Sequence, residues 1–212
     1  MAMRCKPLFH FAIPAFFLIA LALVVIRADQ NINLKVLETH TPTALPVPAS
    51  PQAPLKLPLS NPRLVIKKAL REMSLFDGNS LLRTYHIGLG SSPVEDKVQS
   101  GDKRTPEGDF YVCVKNANSK FYLSLGLSYP NAEDAERGLR DGLITRQERD
   151  RILRAVEAGV RPPWDTQLGG EIFIHGNGSS SDWTWGCVAV EDAEMRELFD
   201  AVPMGTRVRI LH

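Results

Sequence analysis

The residues best suited to chemistry in this chain lie in one stretch, Glu171 to Ala189 (EIFIHGNGSSSDWTWGCVA), where His175 and Cys187 bracket a polar loop. Cysteine attacks as the thiolate, and a neighbouring imidazole can take its proton or stabilise the anion as an ion pair. Both residues adjoin glycine, at Gly176 and Gly186. Gly186 would admit a substrate carbonyl closely, with the Gly186 and Cys187 amides as an oxyanion hole. Cys187 and His175 are therefore the candidate catalytic pair. Gly176, Thr184, Trp185 and Gly186 are candidates for substrate binding or oxyanion stabilisation.

Several rival uses of these residues are weaker. A single cysteine is often a small buried hydrophobe, and a strand-end histidine is often a hydrogen-bonded surface group. Their pairing in one Gly/Ser-rich loop beyond an apolar strand favours catalysis. A Cys113–Cys187 disulfide is the structural alternative in an oxidising compartment, although Cys113 also reads as a core residue of a strand. A metal site from His175, Cys187 and either His86 or Cys113 lacks recognisable ligand spacing, so neither a metal nor another cofactor is expected. Ser179, Ser180 and Ser181 stand in no nucleophile-elbow context. Papain-like and caspase-like peptidases differ in the order or spacing of cysteine and histidine.

The elements that must position this pair read as a mainly β domain with helices. Leu64–Lys68 suits a short strand, and Ala69–Phe76 with Ser80–Ile87 flanks a hairpin turn at Asp77-Gly78. Gly88–Gly108 is a long polar loop of the kind that often carries function. Asp109–Lys115 and Phe121–Leu127 alternate as two further strands. Asn131 and Thr145 each have an acidic residue three positions on, Asp134 and Glu148, as N-caps do, so two helices are expected within 131–159. This insertion is either a solvated surface or a lid over the cleft. After Cys187, Met195, Leu198, Phe199 and Val202 recur at helical spacing, and Thr206–Leu211 alternates as a closing strand.

The remainder of the chain speaks to location. Phe11–Ile26 is an unbroken apolar run preceded by Arg4 and Lys6, which reads as an export signal over residues 1–28, either a retained anchor or a cleaved peptide. The anchor reading is preferred because Ile26-Arg27-Ala28 is a mediocre cleavage site, and the charges place the following domain across the membrane. Residues 29–62 include a proline-rich spacer, and 63–212 form the folded domain. The chain carries 25 Lys and Arg against 24 Asp and Glu, a net charge of +1. That balance offers no field to gather nucleic acid. Cys5 precedes the apolar run, whereas a lipobox cysteine would follow it.

Taken together, His175-Gly176 and Thr184-Trp185-Gly186-Cys187 resemble the signature of the L,D-transpeptidase catalytic domain (YkuD-like) family. Tyr85–Gly90 (YHIGLG), Gly101–Gly108 (GDKRTPEG) and Tyr122–Asn131 (YLSLGLSYPN) look like the family as well. The resemblance spans about Pro62 to His212. It implies a β-sandwich in the bacterial envelope, on the periplasmic side, whose cysteine forms a thioester with a peptidoglycan stem peptide. The acyl group would then pass to an amine, or to water. By residue, it makes Cys187 the nucleophile, His175 the base and Thr184 a residue shaping the loop. Trp185 stands where the wider family usually has histidine, and Ala189 where it has asparagine or arginine. The Trp183-Thr184-x-Gly-Cys-Val-Ala pattern and the helical insertion look more like the YafK-type branch, for which release of murein-attached lipoprotein is a family activity.

Overall fold

The computed structural model of the protein describes residues 53–212. The apolar run at 11–26 and most of the proline-rich spacer lie outside the described residues. Among the described residues no helix is long and apolar enough to cross a membrane.

Strand alternation builds most of the domain. In β1 (Pro62–Lys67), Leu64 and Ile66 point inward, and in β8 (Arg207–Leu211) Val208 and Ile210 do the same while three alternate residues face out. β2 (Glu72–Asp77) and β3 (Ser80–His86) form the expected hairpin, with Gly78 and Asn79 in the turn, one residue later than the Asp77-Gly78 reading. Gly78 takes the positive φ, +56°, while the Asp77 carboxylate accepts the Ser60 and Asn61 amides. β2 also starts later than the sequence suggests. Lys68–Leu70 forms a 3-10 turn that ends on Arg71 at φ +52°.

β4 (Gly108–Ser119) is 12 residues long and serves two partners. Its first part pairs with β8 and its second with β5 (Tyr122–Leu127). The strand order is β3-β2-β1-β8-β4-β5-β6-β7, with β6 at Phe173–His175 and β7 at Val188–Ala189. Gly88, just past β3, bridges back to Ala189 in β7 through two backbone hydrogen bonds of 2.8 and 2.9 Å. The two outer strands of the ladder are thus brought together, and the faces of the expected sandwich are parts of one continuous sheet. The core is the space they enclose, filled by Leu64, Met73, Leu125, Ile174, Val188 and their neighbours. Burying such a side chain fully is worth roughly 1.5–3 kcal/mol relative to leaving it exposed.

Among the described residues three α-helices complete this α+β fold. α1 (Ala132–Arg140) and α2 (Arg146–Glu157) begin at the two N-caps read from sequence, and each closes a capping box, Asn131 with Asp134 and Thr145 with Glu148. Ala135, Ile144, Ile152 and Leu168 give this insertion a small core of its own. Arg137 ties it to the 88–108 loop, donating to the Asp96 carboxylate and to the Lys97 carbonyl at 2.7 Å each. α3 (Asp192–Ala201) buries Met195, Leu198 and Ala201 on one face. Packing also extends ahead of Arg63, because Leu55 and Leu59 lean on the main core.

Candidate active site

β6 and β7 run parallel, with Ile174 opposite Val188 and His175 opposite Ala189. Alternation sends Ile174 and Val188 into the core and turns Cys187 and His175 to the other face, offset by two positions. Both side chains line a cleft of about 380 Å³, together with residues of the β4–β5 hairpin. Cys187 and Glu171 also line a second pocket of about 170 Å³, shared with Lys97, Gly170 and Trp185. Another cavity, of about 520 Å³, is lined by neither residue and lies along β8 and the end of α2.

His175 is buried and held by aromatic rings. Phe121 stacks on it at 4.7 Å between centroids, and Trp183 meets it edge-on at 5.5 Å. Its Nδ1 lies 2.7 Å from the Gly176 carbonyl, which can only accept, so Nδ1 carries the proton and Nε2 is left as the base. Burial pulls the imidazole below its ordinary range, opposed by that Gly176 bond. Cys187 Sγ accepts from the Phe173 amide at 3.4 Å and lies 3.5 Å from the Glu171 carbonyl. Burial pushes the thiol up, while the Phe173 amide and the Lys97 charge pull it down. Burial thus favours the neutral form of both the thiol and the imidazole that line this cleft.

Thr184 holds the turn that presents the thiol. Its hydroxyl donates to the Cys187 carbonyl at 2.8 Å and accepts the Gly186 amide at 3.1 Å. The expected oxyanion pair is therefore reduced, because Gly186 N–H is already committed and only the Cys187 amide remains for a substrate oxygen. The role expected of Gly186 as an opening for substrate also changes. A Cβ there would lie 2.6 Å from the Arg104 carbonyl, so glycine is needed for the packing of the 88–108 loop. At Gly176 a Cβ would meet the Asp192 carboxylate at 2.4 Å, a side-chain tip that could shift, and the Phe121 carbonyl at 3.1 Å. Trp185 is 74% exposed, with Lys103 Nζ 5.5 Å from its ring.

The loop between the pair is pinned by acidic side chains. Glu191 accepts the Ser179 amide and hydroxyl, and Asp192 accepts the Asn177 amide. Asp182 pairs with Arg71 and accepts the Leu89 amide. Ser179 is thereby a loop fastener with a committed hydroxyl. Cys113 is buried in β4 as a free thiol, so the Cys113–Cys187 disulfide is not formed. Burial pushes the Cys113 thiol up to about 11, far from reactive. Among the described residues no three His, Cys, Asp or Glu side chains group to hold a metal ion.

Sequence reasoning missed four residues of the site. Lys97 is buried beside the smaller pocket, its ammonium held by Asp102 at 2.7 Å. Phe121 and Trp183 box the imidazole, and Glu171 places its carbonyl on the sulfur. Glu171 follows Gly169-Gly170 and takes φ +56°, a conformation the double glycine hints at. Nothing local marks Lys97, which reaches the site only through the path of the long loop.

The family model for the L,D-transpeptidase catalytic domain (YkuD) matches residues 61–210. Among curated proteins, none matches this chain. Solved structures that it is similar to include Bd1075 of Bdellovibrio bacteriovorus, at 20% identity and TM-score 0.47, covering 72% of this chain and 48% of that one. The helical cell shape determining protein Pgp2 of Campylobacter jejuni is similar at 17% identity and TM-score 0.49, covering 71% of this chain and 47% of that one. L,D-transpeptidase 1 of Mycobacterium tuberculosis follows at 13% identity and TM-score 0.41, covering 71% and 61%. The chain thus spans about half to three fifths of these structures. At such scores they carry no weight for function, whereas the family match covers all the strands and helices around Cys187. The chain belongs to the L,D-transpeptidase catalytic domain family.

Proposed function

We propose that this protein is a peptidoglycan-modifying cysteine acyltransferase, with Cys187 as nucleophile and His175 as base. The observation that carries the reading is the placement of both side chains on one face of adjacent parallel strands, in one cleft, in a chain of this family. The Sγ–H proton passes to His175 Nε2 as the S–C bond forms at the carbonyl of the third stem residue. The Cys187 amide faces the developing oxyanion. The C–N bond to the terminal D-alanine then breaks, and the imidazolium returns its proton to the departing amine. An acceptor amine attacks the thioester, gives a proton to Nε2, and the sulfur takes that proton back as the C–S bond breaks.

Water can replace the amine, and one observation favours that second reading. Ala189 is fully buried and paired with Gly88, so its position offers no polar group to an acceptor. The enzyme would then act as a hydrolase on stem residues or on a lipoprotein attached through diaminopimelate. In either reading it works in the periplasmic part of the envelope, with the 1–28 segment as a membrane anchor.

Incubation with purified muropeptides tests the assignment. Mass spectrometry should find a thioester on Cys187, transfer when an amine is supplied and hydrolysis when it is not. Cys187→Ala should give no adduct. A variant that keeps full turnover would overturn the choice of nucleophile, and sacculus binding with no adduct in the wild type would indicate a non-catalytic wall-binding module.

A further inference from the structure

We propose that Glu171 and Lys120 form a clamp for a zwitterionic amino-acid group at the rim of the Cys187 cleft, selecting peptides that carry an ammonium and a carboxylate on one residue. The inference rests on the reading of this cleft as the substrate site. Apart from His175, Glu171 and Lys120 are its charged lining residues, one of each sign. Both are exposed, and among the described residues neither has an ion-pair or side-chain hydrogen-bond partner. Of the other charged groups around the site, Lys97 is committed to Asp102 and Arg71 to Asp182, and Lys103 lies over the Trp185 ring outside this cleft.

The position of Glu171 has no evident structural use for its carboxylate. Its backbone adopts φ +56°, which side chains rarely do, and this sets its carbonyl against Cys187 Sγ. A glycine would satisfy that backbone with less strain. The carboxylate adds a negative charge near a sulfur that must become an anion, which opposes the chemistry unless a ligand cation neutralises it. Glu171 also lines both pockets, so it stands at the divide where a ligand must pass the thiol. Lys120 approaches from the β4–β5 hairpin, and Asn118 and Ser119 beside it supply polar groups.

One unpaired charge of each sign discriminates by repulsion as well as attraction. A purely anionic ligand would meet Glu171 and a purely cationic one would meet Lys120. An amino acid with a free ammonium and a free carboxylate satisfies both, as the far end of a diamino dicarboxylic residue such as diaminopimelate does.

Binding to the full-length Cys187→Ala variant tests the clamp without chemistry. The probes are a tripeptide ending in diaminopimelate, its derivative acetylated on the free side-chain amine, and its derivative amidated on the adjacent carboxylate. The parent should bind about fivefold more tightly than either derivative. Adding Glu171→Gln should abolish the penalty for acetylation, and adding Lys120→Gln the penalty for amidation. Equal affinity for all three probes would overturn the proposal. So would a Glu171→Gln change that weakens all three alike, the mark of a merely structural role. Glu171→Asp should restore part of the discrimination. Thioester formation by the wild type reads the functional assignment separately: selective binding without a thioester would sink the acyl transfer and leave the clamp standing.

Discussion

The Thr184 hydroxyl donates to the Cys187 main-chain carbonyl at 2.8 Å, so the proposed nucleophile is held by a side chain three residues before it. The same oxygen accepts the Gly186 amide, and Thr184 is almost fully buried. Thr184→Val keeps the shape and removes both bonds. It should cost about 1–3 kcal/mol of stability, because a buried amide and carbonyl lose their partner. The rate of Cys187 acylation should fall much more than the affinity for substrate, while Thr184→Ser keeps both. Denaturant unfolding and single-turnover acylation measure the two effects.

Opposed shifts at His175 and Cys187 set the pH dependence expected of the proposed acylation. Burial depresses His175 below its ordinary 6.5, so the proposed base favours its neutral form at pH 7 and loses it only as pH falls through that lower value. Burial raises the Cys187 thiol above its ordinary 9.0, so direct alkylation by iodoacetamide should climb with pH past 9. The acylation rate should therefore stay level from neutrality down to below pH 6.5 and then drop. Stability follows the same signs: the His175 contribution is present above 6.5 and lost as pH falls through the folded value, and the Cys187 contribution is present below 9.0 and lost as pH rises through its own. A pH profile of acylation with the acid limb above 6.5 would contradict the burial of the base.

Gly186→Ala should inactivate the enzyme by displacing the loop. At φ +125° any side chain is strained, and the new Cβ would sit 2.6 Å from the Arg104 backbone carbonyl. That carbonyl is backbone and not a flexible side-chain tip, so the cost should reach about 2–4 kcal/mol. Thermal unfolding together with iodoacetamide reactivity of Cys187 would show both consequences.

Arg137→Met should loosen the insertion from the site. The guanidinium bridges Asp134 and Asp96 and caps the Lys97 carbonyl. Its removal leaves the buried Asp134 carboxylate without its cation, at a cost of about 2–3 kcal/mol, toward the lower end for a buried pair because Arg137 is 28% exposed. Hydrogen exchange should rise in 88–108 as well as in α1, since Arg137 joins the two. Exchange confined to α1 would show that the insertion does not brace the loop.

Much of the local structure is legible in the chain because its signals are local. The capping boxes at Asn131 and Thr145 need only residues three apart, and the alternation of Val208 and Ile210 needs only one strand. The hairpin turn at residues 78–79 slid by one residue from the sequence reading because the Asp77 side chain is occupied by amides of Ser60 and Asn61. The late start of β2 has a similar origin, since Arg71 turns back to bond Lys68 and Asp182.

The site divides along the same line. The sequence by itself singled out the thiol and the imidazole that line one cleft, because an apolar strand ending at His175 and a glycine before Cys187 are features of neighbouring residues. It also determined the helix caps and the family signature. Tertiary structure alone decided the burial of the imidazole, the commitment of the Gly186 amide, and the charges that line the two pockets. Burial of His175 depends on Phe121 and Trp183, the Gly186 amide is taken by a side chain, and Lys97, Lys120 and Glu171 arrive from three separate segments. Desolvation and charge act through space, so residues distant in sequence set the chemistry of a pair that the sequence could only name.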